Sequence, residues 1–275
     1  MNIGVIGTGN MGQAILRGYV AVHPERANEI FVYNRHEEKA INLAGELKVN
    51  VCRDIDQVVE KADIILLAVK PAQFPEVMPK VKETMEKSAK GMQKTIVSIA
   101  AGVSIAYIES FFQNQSNAVK VVRIMPNTPA MVGSAMSSIS VNQGVDEESK
   151  KSVEEIFASI GRVAFVDEGL IDAVIGVSGS APAYVYLFIE ALADGAVAEG
   201  MPRAAAYEFA AQTVLGSAKM VLETGLHPGV LKDQVCSPAG TTMEAVHVLE
   251  DAGFRGIVMD AVRAAAEKSK DMAKK

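Results

Sequence analysis

The sequence has no tryptophan, two cysteines and four histidines, and its 275 residues carry a net charge of -6. Each scarcity excludes something. Cys52 and Cys236 lie far apart without metal-ligand spacing, so neither a disulfide framework nor a metal site is expected, and reduced thiols suit the cytoplasm. An acidic balance repels polyanions, which removes nucleic acid and anionic membrane surfaces from the expected partners. Long uninterrupted apolar runs are lacking too. "AVIGVSGSAPAYVYLFI" is broken by Gly, Ser and Pro and bracketed by Asp172 and Glu190, short of the roughly twenty apolar residues of a bilayer span. Nor does "MNIGVIGTGN" show a basic, apolar and cleavable targeting pattern, since it enters a strand pattern at once.

What is present is a globular composition, 49% hydrophobic and 22% charged, long enough for two domains with cores of their own. The first part alternates β-branched runs ("IGVIG", "IFVYN", "IILLAV", "TIVSIA", "VKVVRIM", "SSISV") with helical stretches such as "DEESKKSVEEIFASIG". In that stretch Asp146 is the expected N-cap and Gly161 the expected stop. This predicts an α/β fold, with an N-terminal Rossmann-type doubly wound sheet over residues 1–165. Beyond it the strand signal stops and Ala-rich helical runs follow, with Pro202 and Pro228 at helix starts and Gly225 and Gly253 past helix ends. Residues 166–275 are therefore read as an all-α domain. Its helix "APAYVYLFIEALADGAVAEG" is apolar on nearly every side, which calls for a partner subunit to cover it.

Gly7, Gly9 and Gly12 stand in G-x-G-x-x-G spacing directly between a strand and a helix. In that context the first glycine makes the tight turn, the second admits a pyrophosphate and the third lets helix and strand pack, so Thr8, Asn10 and Met11 join the candidate cofactor loop. Where an NAD enzyme places an acid after the second strand, this chain has Asn34 and Arg35. An Asn does not repel a 2′-phosphate and an Arg clamps one, so NADPH is expected, with NADH as a second cofactor. Three further segments end strands at the same edge: Ala68, Val69, Lys70 and Pro71; Ile99, Ala100 and Ala101 before Gly102; and Asn127 within "MPNTP".

The stretch "CSPAGTTMEAV" adds a second candidate site. Thr241 and Glu244 have capping-box spacing, which makes Thr241 the cap and leaves the hydroxyl of Thr242 free beside helix-start N–H groups that favour a carboxylate. No histidine stands out as a base: His23 and His36 are read as far from any site, His227 and His247 as surface residues. An imine needs less help than an alcohol, because its nitrogen arrives protonated and needs only a hydroxyl to hold it.

These motifs resemble those of the pyrroline-5-carboxylate reductases, over essentially the full length. The match rests on "LKDQVCSPAGTTMEAVHVLEDAGFR", "SGSAPAYVY", "AVKP", "MPNTPA" and "GTGNMG". The resemblance implies the last step of proline synthesis and a homodimer, often built into a ring, with each active site between one subunit's Rossmann domain and its partner's helical domain. It also implies that the loop of Ser237, Ala239, Gly240, Thr241 and Thr242 holds the ring carboxylate and that Thr242 bonds the ring nitrogen. Many relatives have Gly where this chain has Ala239. A β-hydroxyacid dehydrogenase would resemble its family in a lysine on the first long helix, and no lysine occurs between Lys151 and Lys219. A non-catalytic NADPH sensor would have no need of Thr242.

Overall fold

The computed structural model describes residues 1–88, 91–113 and 118–273. Its first part runs β1 (Ile3–Ile6), α1 (Asn10–Val22), β2 (Ile30–Tyr33), α2 (Glu37–Leu47), β3 (Asn50–Val51), α3 (Ile55–Lys61), β4 (Ile64–Leu67), α4 (Phe74–Lys87), β5 (Thr95–Ser98), α5 (Ile105–Ser110), β6 (Lys120–Met125), β7 (Ala135–Val141), α6 (Glu147–Ala158) and β8 (Gly161–Phe165). Among the described residues the strands form one sheet in the order β3-β2-β1-β4-β5-β6-β7-β8. The apolar runs become strands because both sheet faces are covered: Ile3 and Val5 of β1 belong to one core and Ile6 to the other, and β4 divides in the same way. Strand order reverses direction between β1 and β4, and the carboxyl ends of those strands form the switch point where ligands bind such sheets.

Two details depart from a purely parallel reading. β7 pairs antiparallel with β6, because residues 126–134 are too few for a crossover helix. Gly161 does not merely end a helix: α6 stops at Ala158, and Gly161 opens β8, paired with Ala135.

Short helices follow in α7 (Ile171–Val174) and a π-helical turn, Ile175–Gly179, and then long ones in α8 (Ala181–Ala198), α9 (Arg203–Thr224), α10 (Pro228–Val235), α11 (Thr241–Asp251) and α12 (Phe254–Ala273). Pro228 is the first residue of α10, whereas Pro202 is the residue before α9. The chain divides into two compact units, Met1–Gly179 with Ala265–Lys275, and Ser180–Ala264. The second unit buries just Ala193, Ala206 and Ala210 among its hydrophobic side chains. Tyr186, Leu187, Phe209 and Ile257 stay 61%, 68%, 64% and 65% exposed, so this unit has almost no core of its own.

The run Glu168–Ala198 is long and apolar enough, by length and composition alone, to cross a membrane. That corrects the sequence expectation. Gly179 is taken into the π-helical turn and Pro182 into the first turn of α8, where a missing N–H costs nothing, so neither breaks the helical run.

Asp146 does cap α6, accepting from the Ser149 amide at 2.8 Å, and it also pairs with Lys120. Lys120 first and Ser149 second hold its carboxyl far below the usual range. Asp146→Ala is expected to cost about 1 kcal/mol near neutral pH. Because the folded-state pKa is the lower one, that contribution is present above the unfolded value of about 3.9 and is lost as pH falls through the window below it. Urea denaturation of both proteins near neutrality and at about pH 3 should show the gap narrowing in acid; a constant gap would contradict the assignment.

Candidate active site

The cofactor side is built from how tightly the chain turns after β1. Gly7 has φ +101°, donates its N–H to the Tyr33 carbonyl at 2.8 Å, and leaves so little room that a Cβ there would lie 2.6 Å from the Ala68 carbonyl oxygen. A Cβ on Gly12 would meet the Gly7 carbonyl oxygen at 2.7 Å. Gly9 is different. It is the N-cap of α1, and a Cβ on it would meet nothing within 4 Å. Two glycines are thus required by packing, and the third leaves a cradle open to an incoming group.

Thr8 turns inward, fully buried, and its hydroxyl accepts from Asn34 Nδ2 at 2.7 Å. The Asn34 side-chain oxygen Oδ1 in turn accepts from the His36 backbone amide at 2.9 Å. Asn34 therefore ties the end of β2 to the glycine loop and leaves Arg35 projecting outward without competition from it. Gln13 Nε2 adds a bond to the Thr8 carbonyl at 2.9 Å. Met11 packs against the core, so its backbone rather than its side chain faces the loop, while Asn10 is exposed.

A crevice of about 520 Å³ gathers Gly7, Gly9, Asn34, Arg35, Ala68, Val69 and Lys70 from the sequence-derived set. It also includes residues that the sequence reading missed: His36, Lys39, Gln73 and Lys80. His36, read as remote, is corrected here, since the turn after β2 brings it to the crevice wall. Pro71 begins the short helical turn Pro71–Gln73 behind Lys70. Ile99, Ala100, Ala101 and Asn127 do not line this crevice; they sit past the ends of β5 and β6 at the same sheet edge. The Asn127 side chain donates to Ser178 and accepts from the Met136 amide at 3.0 Å, so it holds the π-helical turn rather than standing free.

In the other unit, the Ser237 carbonyl accepts from the Gly240 amide at 3.0 Å across Pro238 and Ala239, and Ala239 has φ +59°. Proline second and a left-handed residue third are the marks of a type II turn, which favours glycine at Ala239. The alanine adopts the conformation at a cost of about 1 kcal/mol. Gly240 leaves this turn extended and is itself the N-cap of α11, with no side-chain capping bond. Thr241 is therefore the first helical residue and not the cap, and the capping box with Glu244 does not form. The amide N–H groups of Thr241 and Thr242 donate to no group among the described residues, and the next one, of Met243, reaches the Gly240 carbonyl at 3.1 Å. Two amides and two hydroxyls are left at a helix start, the kind of donor set that helix N-termini offer to anions. Of the remaining histidines, His227 accepts from the Gly229 amide and His23 lies beside Glu25 and Glu155, so both imidazoles are engaged with groups outside the α11 start. Cys52 is buried, which pushes its thiol pKa up, and Cys236 is likewise unpaired.

An open backbone cradle at the switch point of a doubly wound sheet places the chain among the dinucleotide-dependent oxidoreductases. Residues 2–102 match the family described as NADP oxidoreductase, coenzyme F420-dependent, and residues 168–272 that described as pyrroline-5-carboxylate reductase dimerisation. The pyrroline-5-carboxylate reductase of Escherichia coli (strain K12) is 46% identical over 272 residues, 99% of this chain and 98% of that one. A solved pyrroline-5-carboxylate reductase from Coxiella burnetii has a TM-score of 0.91 at 34% identity, with 98% of each chain covered. The Plasmodium falciparum pyrroline carboxylate reductase with NADP bound has a TM-score of 0.85 at 32% identity, covering 99% of this chain and 98% of that one. The chain belongs to the pyrroline-5-carboxylate reductase family and is an NAD(P)H-dependent oxidoreductase.

The glycines give a test of the cradle. Gly9→Ala should leave thermal stability unchanged or slightly raised, since its φ of -74° suits alanine, yet weaken NADP⁺ binding about ten-fold or more as the methyl enters the cradle. Gly12→Ala should cost about 1–3 kcal/mol of stability by overpacking. Calorimetric titration beside thermal melts checks both, and the opposite ranking would show the cradle to be misplaced.

Proposed function

We propose that the protein reduces 1-pyrroline-5-carboxylate to L-proline with NADPH, accepting NADH as a second cofactor. In this reading it works in the cytoplasm as a homodimer extended to a ring of dimers, with neither nucleic acid nor membrane as a partner. Residues 1–165 bind the cofactor, and residues 166–275 carry the dimer contact and the substrate loop. The observation that carries the substrate reading is the start of α11, where Thr241 and Thr242 present unbonded amides and no side chain, Glu244 of the first turn included, makes a capping bond to them. A carboxylate beside a ring nitrogen fits that pattern of donors. The match of residues 168–272 to a dimerisation family and the exposed apolar surface of α8 support a second copy as the cover that the isolated chain lacks.

Each residue then has a definite task. The Thr241 and Thr242 amides, with the positive end of α11, hold the carboxylate. Ser237 packs against Gly240, where a Cβ would lie 2.3 Å from its hydroxyl oxygen, and so sets the path of the chain into the helix. The Thr242 hydroxyl positions the ring nitrogen, which arrives protonated and needs no base. On the cofactor side Gly7 and Gly12 shape the loop, Gly9 leaves the cradle open, and Arg35 faces the 2′-phosphate. When bound, the nicotinamide supplies the hydride.

Thr242 is the residue on which this reading can fail. Thr242→Ala should lower kcat/KM for pyrroline-5-carboxylate by about ten to a few hundred fold with little change in melting, and Thr242→Ser should keep much of the rate. Because Thr241 is not the cap, Thr241→Ala should also melt near the parent temperature. Early melting of Thr242→Ala, with turnover per folded molecule unchanged, would make the residue structural.

A further inference from the structure

The crevice beside the glycine loop holds more positive charge than its own walls balance. Arg35, Lys39, Lys70 and Lys80 all line it, and Glu76 is its one carboxylate. None of the four cations has a carboxylate within ion-pair distance among the described residues, whereas Lys82 and Lys87, on the same helix as Lys80, pair with Glu86 and Glu83. Glu76 and Lys80 have the i,i+4 spacing that commonly pairs, yet they remain apart. The first turn of α2 contains Glu37 and Glu38, which could have neutralised Arg35, but neither lines the crevice. Lys39, at the third position of the same helix, does.

We infer that Lys39 is a second selectivity residue for the cofactor's 2′-phosphate, acting beside Arg35; this rests on the dinucleotide reading given above. A phosphate monoester carries about -1.5 to -2 charges near neutral pH, more than one guanidinium cancels. The pyrophosphate already has the α1 start and the open cradle at Gly9. Charge at Arg35 and Lys39 is therefore left for a further anion on the β2 side of the switch point. The two residues divide the work by their chemistry: the guanidinium fork grips two oxygens in a fixed geometry, and the ammonium acts as a point charge on a flexible stem. Lys80 approaches from α4, across the crevice, and is the alternative source of that second charge.

Calorimetric titration of NADP⁺, NAD⁺ and 2′,5′-ADP into the parent protein, Lys39→Gln, Lys39→Arg and Lys80→Gln separates these possibilities. Lys39→Gln should weaken NADP⁺ and 2′,5′-ADP about 5- to 30-fold and lower the ratio of NADP⁺ to NAD⁺ affinity by a similar factor. Lys39→Arg should recover most of that ratio, and the loss of NADP⁺ affinity with added salt should be shallower in Lys39→Gln than in the parent. Equal weakening of NADP⁺ and NAD⁺, an unchanged ratio, or a ratio lost only in Lys80→Gln would overturn the assignment. The titrations use no imino acid, so a failure to reduce pyrroline-5-carboxylate would leave this result standing, and a failure here would leave the reductase reading intact.

Discussion

The cofactor half of the molecule depends on one close approach, that of the chain at Gly7 to the carbonyl of Ala68, where a Cβ would have 2.6 Å. That contact sets the end of β1 hard against the end of β4, the two strands between which the sheet changes direction. From it follows the sharp turn that sends Thr8 inward to meet Asn34 and leaves Gly9 facing outward. The same turn starts α1 with no side chain over its first amides. Arg35 then follows Asn34 at the crevice wall. A larger residue at Gly7 would have to push β4 away, and every later step would shift with it.

The helical unit poses the opposite problem, for it is held too loosely to stand by itself. Three buried alanines, with Ile189, Ala196, Val197 and Met201 packed half-buried against them, make its small interior, while Tyr186, Leu187, Phe209 and Ile257 remain on its outside. A surface of that kind needs another surface, and the dimerisation family that matches residues 168–272 identifies it as a second copy. Under the proposed function, fold and function are then coupled, since the loop from Ser237 to Thr242 lies on the unit that a second copy would cover. The strained Ala239 fits the same view. Its left-handed conformation costs an L-residue energy, and such positions cluster at ligand-binding loops.

Much of this was legible from residue patterns because those patterns have direct physical causes. Runs such as "IILLAV" must be buried on both faces, and three glycines at G-x-G-x-x-G spacing have few other uses between a strand and a helix. What escaped depended on three-dimensional context. β8 is an edge strand with no fully buried residue, and β3 is two residues long. Lys39 and Lys80 come from separate helices and meet only at the crevice. The helix cap was displaced by one residue because the turn at Pro238 and Ala239 gives Gly240 the extended backbone of a cap, a feature that the Thr–Glu spacing does not report. The imino-acid substrate was not legible from physics at all: free amides and a hydroxyl specify an anion beside a polar atom, and the family supplies the ring.

Reduction of 1-pyrroline-5-carboxylate by NADPH is tested most directly with the purified protein and both compounds. NADPH absorbance should fall only when the imino acid is present, with proline appearing in equimolar amount and NADH supporting a slower reaction. A folded, NADP⁺-binding dimer that oxidises neither cofactor in the presence of pyrroline-5-carboxylate would contradict it.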